Sequence, residues 1–134
     1  MNNSTSRRLA LLAILAIAMV VVPAVTSLPA GIAGVKDSGC NCHGTEADSS
    51  VTASITGLPE TYNASETYAV TVSFSGGPST DGNMNLGGFN LWASDGTFST
   101  VDDSTQLWGP SEASHTESGN DQRSWTVDWT APES

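Results

Sequence analysis

From residue 51 onward apolar and polar residues alternate. In Val51-Thr52-Ala53-Ser54-Ile55-Thr56 every second residue is apolar, and Tyr68-Ala69-Val70-Thr71-Val72-Ser73-Phe74 repeats the pattern over a longer span. Phe89, Leu91 and Ala93 alternate again, as do Trp125, Val127 and Trp129. Successive strand side chains point to opposite faces, so a period of two rich in β-branched and aromatic residues predicts strands with one buried face. Turn residues separate the runs: Gly57-Leu58-Pro59, Gly76-Gly77-Pro78, Gly87-Gly88, Asp95-Gly96 and Gly109-Pro110. Asp95-Gly96 predicts a tight hairpin between two of the strands. Short strands at this spacing predict an all-β fold, an antiparallel β-sandwich. Its thin core is expected to use Tyr68, Val70, Val72, Phe74, Phe89, Leu91, Phe98, Trp125, Val127 and Trp129. Trp92 falls out of phase with its neighbours and is expected to face outward.

The first residues follow another pattern. Arg7 and Arg8 precede an unbroken apolar run from Leu9 to Val22, then Pro23 and small residues. This is the layout of a secretory signal. The run is short for a spanning helix, which needs about 20 apolar residues. Val22-Pro23-Ala24 and Leu28-Pro29-Ala30 are the candidate cleavage sites, and a retained N-terminal anchor is the alternative. The chain therefore divides into a signal peptide or membrane anchor at 1–30, a cysteine-bearing segment at 31–50 and a β-sandwich at 51–134. The protein is expected to be exported, to the outside of the cell or the outer face of the cytoplasmic membrane. The last residues end a strand at a turn and six strands would leave an open edge, so the native protein is expected to continue, with further membrane attachment through a missing C-terminal anchor.

Without the leader the chain is strongly acidic. From Gly31 onward two basic residues, Lys36 and Arg123, face fourteen Asp and Glu, a balance of −12. Such a surface repels phosphate backbones and anionic headgroups, which argues against nucleic acid and against peripheral membrane binding. The acids are scattered, as on a solvated surface, and the remaining use for them is attraction of cations or a basic partner. No nucleophile elbow, triad or pair of carboxylates stands out, so no enzyme is indicated.

Several segments together resemble a known family. These are Gly57-Leu58-Pro59, the strand Tyr68 to Phe74, Gly87-Gly88-Phe89-Asn90-Leu91, His115-Thr116 and the run Gln122 to Pro132 with its Trp125-Thr126-Val127-Asp128-Trp129-Thr130-Ala131-Pro132 core. They are similar to exported Reeler-like β-sandwich domains, including the choice-of-anchor V domains, over roughly Gly39 to Pro132. The resemblance implies an Ig-like or Reeler-like sandwich at the cell envelope. It also implies an opening Cys-x-x-Cys-His element suggestive of a c-type haem.

This chain departs from that opening. Gly39-Cys40-Asn41-Cys42-His43-Gly44 holds both of its cysteines and one of its two histidines, but only Asn41 separates the thiols. A c-type haem is held by thioethers at two cysteines while the adjacent histidine binds iron. Cys42-His43 keeps the usual relation; Cys40 is one residue too close. Three readings stand. Cys40, Cys42 and His43 hold haem c or another redox iron, with His115 as second axial ligand and Met84 as its substitute. Copper or zinc binds the thiolates and imidazole instead. Or no cofactor binds, and Cys40 and Cys42 form a strained disulfide in an exported interaction domain. The first makes the protein an electron-transfer or cofactor-binding module with a redox protein partner; the last makes it a surface adhesion module with a surface protein partner. His115 alternatively serves as a hydrogen-bonded structural residue. Asn63-Ala64-Ser65 is a glycosylation acceptor. Trp92 and Trp108, if exposed, suit stacking on sugars or packing against a neighbouring domain.

Overall fold

The structure is a computed structural model that describes residues 29–36, 47–77, 79 and 85–133. The leader run, Cys40, Cys42, His43 and Met84 lie outside the described residues. The alternating segments are strands: β1 (Thr52–Thr56), β2 (Thr67–Ser75), β3 (Asn90–Trp92), β4 (Thr97–Thr100), β5 (Thr105–Leu107), β6 (Glu112–His115) and β7 (Ser124–Thr130). No helix among the described residues is long and apolar enough to cross a membrane.

The strands form two antiparallel sheets. One has the order β1-β2-β7-β4 and the other β3-β6-β5. Their inner faces meet over Val70, Phe98, Ala113 and Val127, flanked by Phe89, Leu91, Ala93 and Trp129. The period-two reading of β2 and β7 holds in phase: Val70, Trp125 and Val127 are buried, and Tyr68, Val72, Phe74 and Trp129 are half-buried. Aromatic rings close both ends. Phe74, Phe89 and Trp125 pack at one, with the Phe89 and Trp125 centroids 5.1 Å apart. Tyr62, Tyr68 and Trp129 pack at the other. Trp125 is fixed further by its indole N–H, which donates to the carbonyl of Gly119 at 2.6 Å.

Three local expectations are corrected. Asp95-Gly96 is not a hairpin. It carries the chain from β3 in one sheet to β4 in the other, since β3 pairs with β6 and β4 with β7. The inward face of β1 is not buried: Ile55 is 52% exposed, and the whole strand is open to solvent. Ala53 and Ile55 stand opposite Phe74 and Val72, on the inner face, but a three-stranded sheet is too narrow to cover a four-stranded one. This leaves a cleft of about 410 Å³ among Ile55, Val72, Phe74, Phe89 and Leu91. Lastly, β5 and β6 are too short and polar to show a pattern, and the described residues hold seven strands where six were expected.

Candidate functional site

The outer face of the smaller sheet is crossed by the chain that precedes β1. Register aligns Gln106, Ser114 and Asn90 in one row across β5, β6 and β3. Residues 29–36 run along this row as a strap. Gln106 Nε2 donates to the carbonyl of Ala30, Gly31 lies against the Ser114 side chain, and Asn90 Nδ2 donates to the carbonyl of Ile32 at 2.9 Å. Gly31 has φ of +77°, and a Cβ there would overlap Ser114 Oγ, so both its backbone and its lack of a side chain are required. Glu112 Oε1 then accepts from the Gly34 N–H at 2.7 Å and from Asn90 Nδ2 at 2.8 Å. The strap ends with Lys36, whose Nζ stands 4.0 Å from the centroid of the Trp92 ring. At its other end Asn120 Nδ2 donates to the carbonyl of Pro29.

The strap fixes the chain just ahead of the Cys40–His43 segment. Behind that segment an exposed turn leads into β1, where pairing with β2 fixes the chain from Thr52 onward. Asp48 caps the approach to β1, its Oδ1 accepting from the Ser50 N–H at 2.8 Å and its carbonyl from the Val51 N–H at 3.0 Å. The Ser50 N–H first, and then the Ser50 hydroxyl, hold the Asp48 carboxyl below its ordinary pKa.

His115 closes β6, half-buried, beside the aromatic end of the core. Its ring lies 6.4 Å from Phe89 and 6.3 Å from Trp125, centroid to centroid. Gly88 passes so close over the imidazole that a Cβ there would overlap it. The Phe89 N–H donates to Nδ1 at 3.1 Å, and the Phe89 carbonyl lies 3.3 Å from the same nitrogen. The tautomer decides which of the two contacts is a hydrogen bond: Nδ1 accepts from the Phe89 N–H when the proton is on Nε2, and donates to the Phe89 carbonyl when it carries the proton itself.

Asn63, the glycosylation candidate, sits in an exposed turn before β2. Its Nδ2 donates to Glu66 Oε2, its backbone N–H donates to the Tyr68 hydroxyl at 2.8 Å, and that hydroxyl donates to the same carboxylate oxygen at 3.0 Å. The Asn63 amide first, and then the Tyr68 hydroxyl, hold the Glu66 carboxyl below its ordinary pKa. Among the described residues no three His, Cys, Asp or Glu side chains gather as a metal-ligand group.

Sequence reasoning missed the strap. Gln106, Asn90, Glu112 and Asn120 are isolated polar residues with no spacing to mark them, and their common role follows only from the register of three strands. The one legible signal was Trp92, whose phase correctly put it outside; it is 43% exposed.

No family model matches the sequence, and no curated protein sequence matches it. Solved reeler domains of F-spondin are similar to it. Two are human fragments, one 22% identical over 65% of this chain and 68% of that one with a TM-score of 0.43, the other 23% identical over 63% and 68% with a TM-score of 0.41. A third structure, of the Reelin-N domain of F-spondin, is 25% identical over 66% of each chain with a TM-score of 0.45.

Proposed function

We propose that this protein is an exported cell-envelope module that works as a carrier and not as an enzyme. Its sandwich presents the Cys40-Asn41-Cys42-His43 segment, which holds a haem or a soft metal ion and exchanges electrons with a partner protein. The observation that supports this is the fastening of both flanks of the segment. Residues 29–36 are hydrogen-bonded across the smaller sheet, and Asp48 to Val51 lead directly into β1. Ligands held between two anchored points lose less conformational freedom on binding than ligands on a free tail. When bound, a haem or copper ion would supply one-electron chemistry. This chain's contribution would be two thiolates and an imidazole within four positions, carried on a folded support.

A second reading is an interaction module in which Cys40 and Cys42 are joined as a disulfide and no cofactor binds. The Phe89–His115 contact favours it. Nδ1 is engaged by the Phe89 backbone and the ring packs beside Phe89 and Trp125, which gives His115 a structural role that needs no ligand. One preparation separates the readings. The chain is expressed for export alongside a haem-maturation system, purified, and measured by absorption spectroscopy, elemental analysis and thiol titration. A Soret band that persists after acid–acetone extraction, or stoichiometric copper or zinc, supports the carrier. A colourless, metal-free, folded protein with both thiols blocked overturns it in favour of the second reading.

A further inference from the structure

Trp92, Glu112 and Trp108 form a second row across the outer face of the smaller sheet. Trp92 stands opposite Glu112 in the β3–β6 ladder. The Trp108 N–H donates to the carbonyl of Glu112 at 2.8 Å, one step beyond the Leu107–Ala113 pair of the β5–β6 ladder. Strands lie about 4.8 Å apart, so the two tryptophans stand roughly 10 Å apart with a carboxylate between them. Both are exposed, Trp92 at 43% and Trp108 at 47%.

One of the two rings already holds a cation, the Lys36 ammonium of the strap. Trp is the best aromatic seat for a cation, because its negative ring face attracts an ammonium without removing all its water. The surroundings strengthen that preference. Glu112 adds a negative charge to the same row, its carboxylate accepting from Gly34 and Asn90, and the chain from Gly31 onward carries fourteen acidic residues against two basic ones.

We propose that this row is a docking surface for a lysine-rich segment of a partner protein, and that Lys36 occupies the Trp92 seat in cis until the partner displaces it. The inference is independent of whether the Cys40–His43 segment holds a cofactor. Charge complementarity selects the occupant: a neutral glycan would stack on the rings without using the carboxylate between them, and an anionic one would be repelled. The spacing fits as well. In a polyproline II segment, lysines three positions apart share one face and are separated by about 9.3 Å, close to the step between the tryptophans.

The test uses the exported chain and a labelled Lys-Pro-Pro-Lys peptide, with its fully acetylated form and a neutral β-linked oligosaccharide as controls, and reads tryptophan fluorescence. The amine peptide is expected to bind, more weakly as salt rises. Acetylation should abolish binding. Trp108→Ala is expected to weaken binding roughly two- to fivefold, and Lys36→Ala to strengthen it by a similar factor, the range of one exposed cation–π contact. Lys36→Ala leaves both tryptophans in place, so it remains informative even if Trp92→Ala loosens the fold. Equal binding of the acetylated peptide, binding of the oligosaccharide in place of the amine, or an affinity unmoved by Lys36→Ala would each overturn the proposal. So would a lack of peptide binding by both the natural chain and Lys36→Ala.

Discussion

Asn120 Nδ2 donates to the carbonyl of Pro29 at 3.2 Å, joining two residues ninety-one positions apart. Asn120 is only 7% exposed, so its amide depends on that carbonyl in place of water. A buried donor left without its acceptor costs about 1–3 kcal/mol. This bears on export. Of the two candidate cleavage sites, Val22-Pro23-Ala24 leaves Pro29 in the mature chain, whereas a cut after Ala30 removes both Pro29 and the carbonyl that Gln106 uses. The mature protein is therefore expected to begin upstream of Pro29, which the intact mass of the exported chain will show. A chain made to begin at Gly31 should melt several degrees lower than one beginning at Val25, since about 1 kcal/mol shifts the melting point of a domain this size by roughly 4–8 °C.

Legibility along this chain followed strand length and burial. β2 and β7 are long, central in the larger sheet and in register from Thr67–Thr130 to Ser73–Ser124, so their alternation reports the core directly. β1 shows the same alternation, yet its apolar face is open. Periodicity reveals which residues share a face but not whether a second layer extends far enough to cover it. Asp95-Gly96 has the composition of a hairpin turn, and what overrides it is pairing. β7 claims β4, and the Gly96 position packs against Trp129, whose indole N–H donates to the carbonyl of Asp95. The outer rows of the smaller sheet were hidden for a different reason. They are made by residues from three strands and a distant strap, and no local window contains all of these elements.

Gly88→Ala should destabilise the protein through His115. The added methyl would overlap the imidazole, which is held against Phe89 and Trp125 and has little room to retreat. Overpacking of this kind costs typically about 1–3 kcal/mol. Chemical denaturation should show that loss in Gly88→Ala and a smaller loss when His115→Ala is combined with it. Simple additivity of the two substitutions would disprove the contact as the cause.

Glu66 should titrate below the ordinary glutamate range, because the Asn63 amide and the Tyr68 hydroxyl both donate to its ionised form. A carboxyl whose folded pKa is depressed stabilises the fold above its unfolded pKa, and that contribution is lost as the pH falls through the folded value. Tyr68→Phe removes one donor and is expected to move the Glu66 midpoint upward, toward its ordinary value. Carboxyl carbon NMR across the acid range measures the shift directly. An unmoved midpoint would show that the hydroxyl does not act on the carboxylate.

Ile55→Lys separates the two roles an apolar strand residue can have. Ile55 points to the inner face of the larger sheet, but it is 52% exposed, on an edge strand whose outer backbone has no partner strand among the described residues. Burial there contributes little, so the substitution should leave the unfolding free energy within about 0.5 kcal/mol of the natural chain. An open edge carrying apolar side chains is a template for pairing with another chain, and a lysine on it opposes that pairing by charge. Light scattering over a concentration series is therefore expected to show less self-association in Ile55→Lys. The same change at Val127, which is 1% exposed in the central strand β7, should prevent folding. If Ile55→Lys unfolds the protein as Val127→Lys does, the cleft beside β1 is closed in solution, and the narrow sheet covers more of its partner than the strand order implies.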